Sequence, residues 1–167
     1  EILSKKTNSY DVHMLMVNDH IKIILCTIHV PLLKAVLMLD QKIISKTILA
    51  AKLACQKFGI KNPRIAVAGL NPHAGENGTI GNEEEIFIKP AIKEALNNGL
   101  CVSGPWSPDA IYLMAREKKF DIVVSLYHDQ GLIPFKYLGL ENGVNITIGL
   151  PFVRTSPDHG TAFDIAG

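Results

Sequence analysis

From Pro63 onward, short runs rich in β-branched and apolar residues alternate with longer segments whose apolar residues recur at helical spacing. Residues 64–70, 100–103, 121–126 and 144–150 read as strands, and 83–97 and 108–118 as helices. A strand that returns to its sheet through a helix runs parallel to the strand before it. The alternation therefore predicts βαβ units and an α/β domain, its mostly parallel sheet covered by helices on both faces. Two runs nearer the N-terminus depart from that plan. Residues 10–17 and 21–28 are separated only by Asn18-Asp19-His20, too few residues for a crossover, so they predict an antiparallel hairpin. Between the hairpin and Pro63, Leu32, Ala35, Val36 and Leu39, then Ile44, Ile48, Ala51, Ala54 and Phe58, predict two helices, with Gly59 closing the second.

Composition supports one folded domain and excludes several classes. The 167 residues are 47% hydrophobic and 20% charged, enough for a core and unlike a disordered chain. Seventeen Lys and Arg against sixteen Asp and Glu give a formal charge of +1, and no basic stripe is interleaved with aromatics, so no nucleic-acid surface is expected. The apolar runs 21–30 and 31–39 are broken by Lys22, His29 and Lys34 and fall short of the ~20 residues of a membrane span, so no membrane partner is expected. Cys26, Cys55 and Cys101 are odd in number and far apart, which argues against a disulfide framework or a cysteine zinc knot and for a reducing, cytoplasmic setting. The chain starts at Glu1 without Met and stops just after a motif-rich stretch, so it reads as a piece of something longer.

Ligands of such sheets gather beyond the carboxyl ends of the strands. Polar, Gly- or Pro-rich loops are expected there at 71–81, 104–108, 128–131 and 154–160. His29, His73 and His128 each follow a strand directly. A single imidazole in that position is most simply a satisfied loop residue, but three in equivalent places match a catalytic zinc site of three histidines and one open position. His13, His20 and His159 lie in a strand, a turn and a loop, and the first two are read as structural. Lys136, Asn145 and Arg154 form a second group: a point charge, an amide donor and a planar fork suited to phosphate oxygens. The donor-rich run from Arg154-Thr155-Ser156 to Asp158-His159-Gly160-Thr161 favours an anion cradle over solvated surface cations. The 71–78 loop, NPHAGENG, is not a dinucleotide-binding fingerprint. Asp109 and Asp129 are candidate acids or carboxylates that orient a histidine, and Asp109 suits equally the first turn of a helix.

The strings LNPHAGENG with GNEE, YHDQGLIPFKY and VNITIGLPFVRTSPDHGTAFDIAG, with TIHVPL upstream, closely resemble the 4-hydroxythreonine-4-phosphate dehydrogenase family of vitamin B6 biosynthesis. The likeness runs from Glu1 to Gly167. It implies an isocitrate/isopropylmalate dehydrogenase-like fold, NAD as cofactor, and oxidation of the 3-hydroxyl of 4-phosphohydroxy-L-threonine. Loss of carbon dioxide from the resulting β-keto acid would leave 3-amino-2-oxopropyl phosphate. It further implies a divalent metal on His29, His73 and His128, with zinc favoured and cobalt or magnesium alternatives. The site would be shared in a homodimer, with His128 supplied by the partner subunit. Substrate contacts fall on Lys136, Asn145 and Arg154, and Asp109 becomes a candidate catalytic residue that handles a proton or meets the substrate amine.

The family is about twice as long, so residues 1–167 correspond to its metal-binding and dimerisation domain, one domain of a two-domain enzyme. The first domain, a C-terminal tail and a substrate-contacting His-Thr pair just ahead of Glu1 are missing. The isolated piece is accordingly expected to be dimeric and inactive. Two other readings stand beside this one: a paralogue acting on threonate or erythronate 4-phosphate, and a non-catalytic dimerisation module.

Overall fold

The computed structural model describes residues 2–139 and 141–157. After a short helix α1 (Ile2–Lys6), β1 (His13–Val17) and β2 (Lys22–Leu25) form the expected hairpin, pairing Leu15 with Ile24 and Met16 with Ile23. Asn18 fixes its turn, its Oδ1 accepting the His20 and Ile21 amides, both at 2.9 Å. Helices α2 (Leu32–Met38) and α3 (Gln41–Lys57) follow, and Asp40 caps α3 by accepting the Ile43 amide at 2.7 Å. Strand β3 (Ile65–Ala68) leads through the 72–78 turn to a π-helical segment (Glu84–Ile88) that continues as α4 (Lys89–Asn97). Then come β4 (Val102–Trp106), α5 (Pro108–Arg116), β5 (Ile122–Ser125), α6 (His128–Gly139), β6 (Val144–Ile148) and β7 (Arg154–Pro157).

Among the described residues seven strands form one sheet in the order β4-β3-β5-β2-β1-β6-β7. The β4, β3, β5 and β2 strands are parallel, while β1, β6 and β7 are joined antiparallel. Period-two alternation divides the core. Ile65, Val67, Ile122 and Val124 face α3 and α4 with Ile44, Ile48, Ala51 and Ala91. Ala66, Ala68 and Val123 face α5 and α6 with Ile111, Leu132 and Phe135. Helices therefore cover both faces. Gly131 allows α6 to lie against the sheet, since a Cβ there would sit 2.9 Å from side-chain carbons of Ile23 and Leu25.

Three expectations change. Residues 128–131 open a helix instead of a loop, because Gly131 and Pro134 sit within α6: one is needed for close approach, and the other merely forgoes one N–H. Residues 154–157 form the edge strand β7, where a Pro at the end costs no ladder bond. The strand expected at 100–103 runs instead over Val102–Trp106, with Gly104 and Pro105 inside an edge strand whose pairing to β3 shifts register between Ala66 and Ala68. Asp158, His159, Gly160 and Thr161 lie outside the described residues. Among the described residues no helix is long and apolar enough to cross a membrane. The three cysteines are free, with Cys101 exposed; burial pushes the Cys26 thiol up to about 12 and that of Cys55 up to about 11, so neither is a nucleophile.

Candidate functional site

The three segments that carry the histidines, two loops and the start of α6, leave adjacent parallel strands, β2, β3 and β5, and buried polar side chains tie them together. Thr27, ahead of His29, donates its hydroxyl to the Leu126 carbonyl at 2.9 Å. Gln130, 8% exposed, accepts the Leu126 amide at 2.7 Å and donates to the Gly69 carbonyl at 2.7 Å. The end of β3 is thus bound to the start of α6. Each of these groups would be costly to leave unpaired in the interior, so the loop origins form one rigid frame.

On that frame His29 and His128 stand with ring centroids 5.4 Å apart. Tetrahedral zinc with Zn–N bonds of about 2.0–2.1 Å holds two imidazole rings at a comparable separation, roughly 5 Å. His128 Nδ1 pairs with Asp129 Oδ1 at 2.6 Å, which leaves its Nε2 for another ligand. His73 sits in a turn of its own, its Nδ1 2.7 Å from Glu76 Oε1, so it too keeps Nε2 uncommitted. That hydrogen bond to the Glu76 carboxylate holds the His73 imidazole pKa above its usual value. Among the described residues, no three His, Cys, Asp or Glu side chains of one chain converge as a metal site.

Two adjoining clefts meet at His29. One, of about 520 Å³, is bordered by His29, His128, Asp129, Tyr127 and the start of α2. The other, of about 620 Å³, is bordered by His29, Asn145, Thr147 and Arg154, with Ile2, Leu3 and Ser4 of α1 on its rim. Asn145 on β6 and Arg154 on β7 lie two and three strands from β2, on the antiparallel part of the sheet. Pairing of β1 with β6 and of β6 with β7 sets Asn145, Thr147 and Arg154 on one face. Arg154 donates to Thr147 Oγ1 at 3.2 Å, which aims the guanidinium along the sheet. Among the described residues the buried Asn145 side-chain oxygen finds no hydrogen-bond partner, an unmet polar group in the cleft wall.

Lys136 is exposed on α6 and borders neither cleft. Asp109 occupies the first turn of α5, where the Ser107 hydroxyl donates to it at 2.5 Å and holds its carboxyl below the usual range; His73 adds a further favourable charge. It is a carboxylate at neutral pH, a counter-charge more than a proton donor. His13 lies in β1 as expected and also lines the second cleft; burial lowers its imidazole pKa. Sequence reasoning passed over Thr27, Gln130, Glu76 and Thr147. Of these, only Glu76 carried a signal, a carboxylate three residues after a candidate ligand.

These features agree with what the chain is similar to. A family model described as pyridoxal phosphate biosynthetic protein PdxA matches residues 1–167. A 4-hydroxythreonine-4-phosphate dehydrogenase from Beijerinckia indica is 54% identical over 167 residues, covering 100% of this chain and 50% of the relative. A D-threonate 4-phosphate dehydrogenase from Pectobacterium atrosepticum is 49% identical over 166 residues, covering 99% of this chain and 51% of the relative. The crystal structure of a Klebsiella pneumoniae 4-hydroxythreonine-4-phosphate dehydrogenase superposes with a TM-score of 0.91 at 46% identity, over 98% of this chain and 50% of that one. The chain spans about half the length of the relatives it matches. With three histidines at the ends of adjacent parallel strands, a polar cleft beside them and a family model that fits from the first residue to the last, the chain belongs to the PdxA family.

Proposed function

We propose that this region forms the metal-binding and dimerisation half of an NAD-dependent dehydrogenase acting on 4-phosphohydroxy-L-threonine in pyridoxal phosphate synthesis, with an isocitrate/isopropylmalate dehydrogenase-like fold. The observation that carries the reading is the position of His29, whose imidazole borders both the cleft with His128 and the cleft with Asn145 and Arg154. The substrate carries its reacting hydroxyl one carbon from the phosphate ester, so a phosphate beside Arg154 would leave the hydroxyl within reach of the histidines, which suits two joined clefts of different chemistry.

The donor set fits a divalent transition ion. Two imidazoles have Nδ1 paired with a carboxylate, leaving Nε2 as the ligating atom, and nitrogen donors favour zinc or cobalt over magnesium. His29, His73 and His128 would hold the ion; among the described residues of one chain no three ligands converge, which supports a site completed by a second copy. Following the family resemblance, His128 comes from the partner; the ring contact between His29 and His128 within one chain favours a second apportionment, in which His73 crosses. A bound divalent ion supplies Lewis acidity that lowers the pKa of the substrate hydroxyl, and NAD supplies the hydride acceptor. Exposed Leu32, Leu33 and Leu37 of α2 and Ile133 and Tyr137 of α6 offer the apolar surface for the second copy.

The chain's own residues bind and orient. Arg154, steadied by Thr147, grips the phosphate by a charge-assisted pair, and Asn145 meets either a phosphate oxygen through its amide N–H or a substrate hydroxyl through its oxygen. The family resemblance adds Lys136 as a third substrate contact. Asp109, held ionised, provides a counter-charge for the substrate ammonium. D-threonate 4-phosphate carries a hydroxyl in place of that ammonium, and relatives with that name keep the alternative substrate open to test. The test compares NADH production from the two phosphates by a polypeptide extended to the length of its relatives. Preference for the amino acid, lost in Asp109→Asn, supports the reading; preference for the sugar acid assigns this chain to the paralogue. The 167-residue chain itself is expected to dimerise and bind zinc without reducing NAD.

A further inference from the structure

The segment that carries His73 has a backbone that its sequence does not favour. His73, Ala74, Gly75, Glu76 and Asn77 all have positive φ, between 43° and 77°, which makes a full turn of left-handed helix with four residues other than glycine. For L-residues this is costly, and it persists only where the surroundings impose it. The consequence is functional. The left-handed turn brings Glu76 to the His73 imidazole and leaves that side chain largely exposed.

The surroundings converge on one buried group. Glu84, in the π-helical segment, is 1% exposed, and no apolar partner explains a carboxylate there. Its Oε1 accepts the amides of Leu70 at 2.8 Å and Asn71 at 2.7 Å, and its Oε2 accepts Asn71 Nδ2 at 2.8 Å, while Glu83 Oε2 takes the same Nδ2 at 2.7 Å. On its other side lies the turn itself: a Cβ on Gly75 would sit 2.6 Å from Glu84 Oε2. Gly69 closes the gap, since a Cβ there would meet Ala74 Cα at 2.9 Å and Glu84 Oε1 at 3.3 Å. The carboxylate is thus clamped between the entry of the loop and its middle. A domain selected for stability alone would fill such a place with an apolar side chain, because buried charge is expensive.

We infer that Glu84 is the positioning residue for His73: it sets the left-handed turn of residues 73–77 and so presents the His73 imidazole to the metal. This rests on the reading of His73 as a ligand. The test uses the 167-residue chain with zinc alone as the probe, in two variants. Glu84→Gln keeps the shape but turns an N–H toward Asn71 Nδ2, donor against donor. Gly75→Ala keeps the carboxylate and drives a methyl into it. At a temperature well below the melting point of each variant, both are expected to weaken zinc at least about tenfold, the range for partners behind the ligands. Both are also expected to lose the left-handed carbon chemical shifts of residues 73–77. Zinc affinity within twofold of the parent in the folded variants would overturn the proposal, as would retention of the left-handed shifts. If the parent chain binds no zinc, the ligand reading of His73 fails by itself. The shifts then still decide whether Glu84 sets the turn.

Discussion

The parallel and antiparallel halves of the sheet place their chemistry in different ways. In the parallel half all four residues of β3 and of β5 are buried, and the histidines ride on two loops and the start of α6, whose origins are fixed by Thr27, Glu84 and Gln130. In the antiparallel half, β6 and β7 have no buried residue, and Asn145 and Arg154 are strand residues aimed by register alone, with one side-chain bond between Arg154 and Thr147. One half is a preformed frame suited to a metal, whose geometry tolerates little error. The other is an open wall that a ligand completes. Mutations should therefore separate structure from binding in one half and merge them in the other.

The largest effect is expected from the ligands themselves. His73→Ala should abolish zinc binding, a loss of more than about 100-fold and so beyond the ~10–100-fold of outer partners, and calorimetry showing unchanged affinity would remove His73 from the site. Gln130→Ala comes next and should hurt stability first: it leaves the Leu126 amide and the Gly69 carbonyl unpaired, at a cost of about 2–4 kcal/mol by urea denaturation. A change under about 0.5 kcal/mol would mean that the frame is not held at this point. Arg154→Ala should do the reverse, leaving stability within about 0.5 kcal/mol while weakening phosphorylated substrate by about 1.5–3 kcal/mol, read as a raised KM in the extended enzyme. Equal kinetics for the variant would reduce Arg154 to a strand-edge cation.

The smallest effect lies away from both halves' chemistry. The Arg64 guanidinium holds the Asp121 carboxyl below its usual range. A depressed carboxylate contributes stability above its unfolded pKa of 3.8, and that contribution disappears as pH falls through the lower folded value. Asp121→Asn should therefore lower the melting temperature at pH 7, where the contribution is fully present, and flatten the acid limb of the profile, the difference from the parent shrinking as pH falls below about 4. A difference from the parent that is as large in acid as at pH 7 would contradict the assignment.

The same contrast explains what could be read from the sequence. Hairpin, helices and parallel strands were legible because each writes a period of its own, and the histidines were legible because each follows such a strand directly. Helix α6 was not: Gly131 and Pro134 read as breakers, whereas Gly131 answers to the nearness of Ile23 and Leu25, which only the fold reveals. Strand β7 was hidden because Arg154-Thr155-Ser156-Pro157 has no apolar face, being an exposed edge. Glu84 fell in an expected helix and Gln130 in an expected loop, and nothing local marks either as buried, because their partners, Asn71 and Gly69, lie elsewhere in the chain. The left-handed turn had no local signal beyond its glycines and Asn77, since His, Ala and Glu do not choose that conformation unaided.

The central claim is that the metal site is completed between two chains, and mixing tests it most directly. His73→Ala and His128→Ala chains, carrying different tags, are co-refolded and the mixed dimer is isolated; each parent dimer should bind no zinc. A shared site leaves one intact set of His29, His73 and His128 in the mixed dimer, whichever of His73 and His128 crosses, so calorimetry should give one zinc per dimer at the affinity of the unaltered protein. A mixed dimer that binds no zinc, formed from chains that fold and pair normally, would contradict the claim.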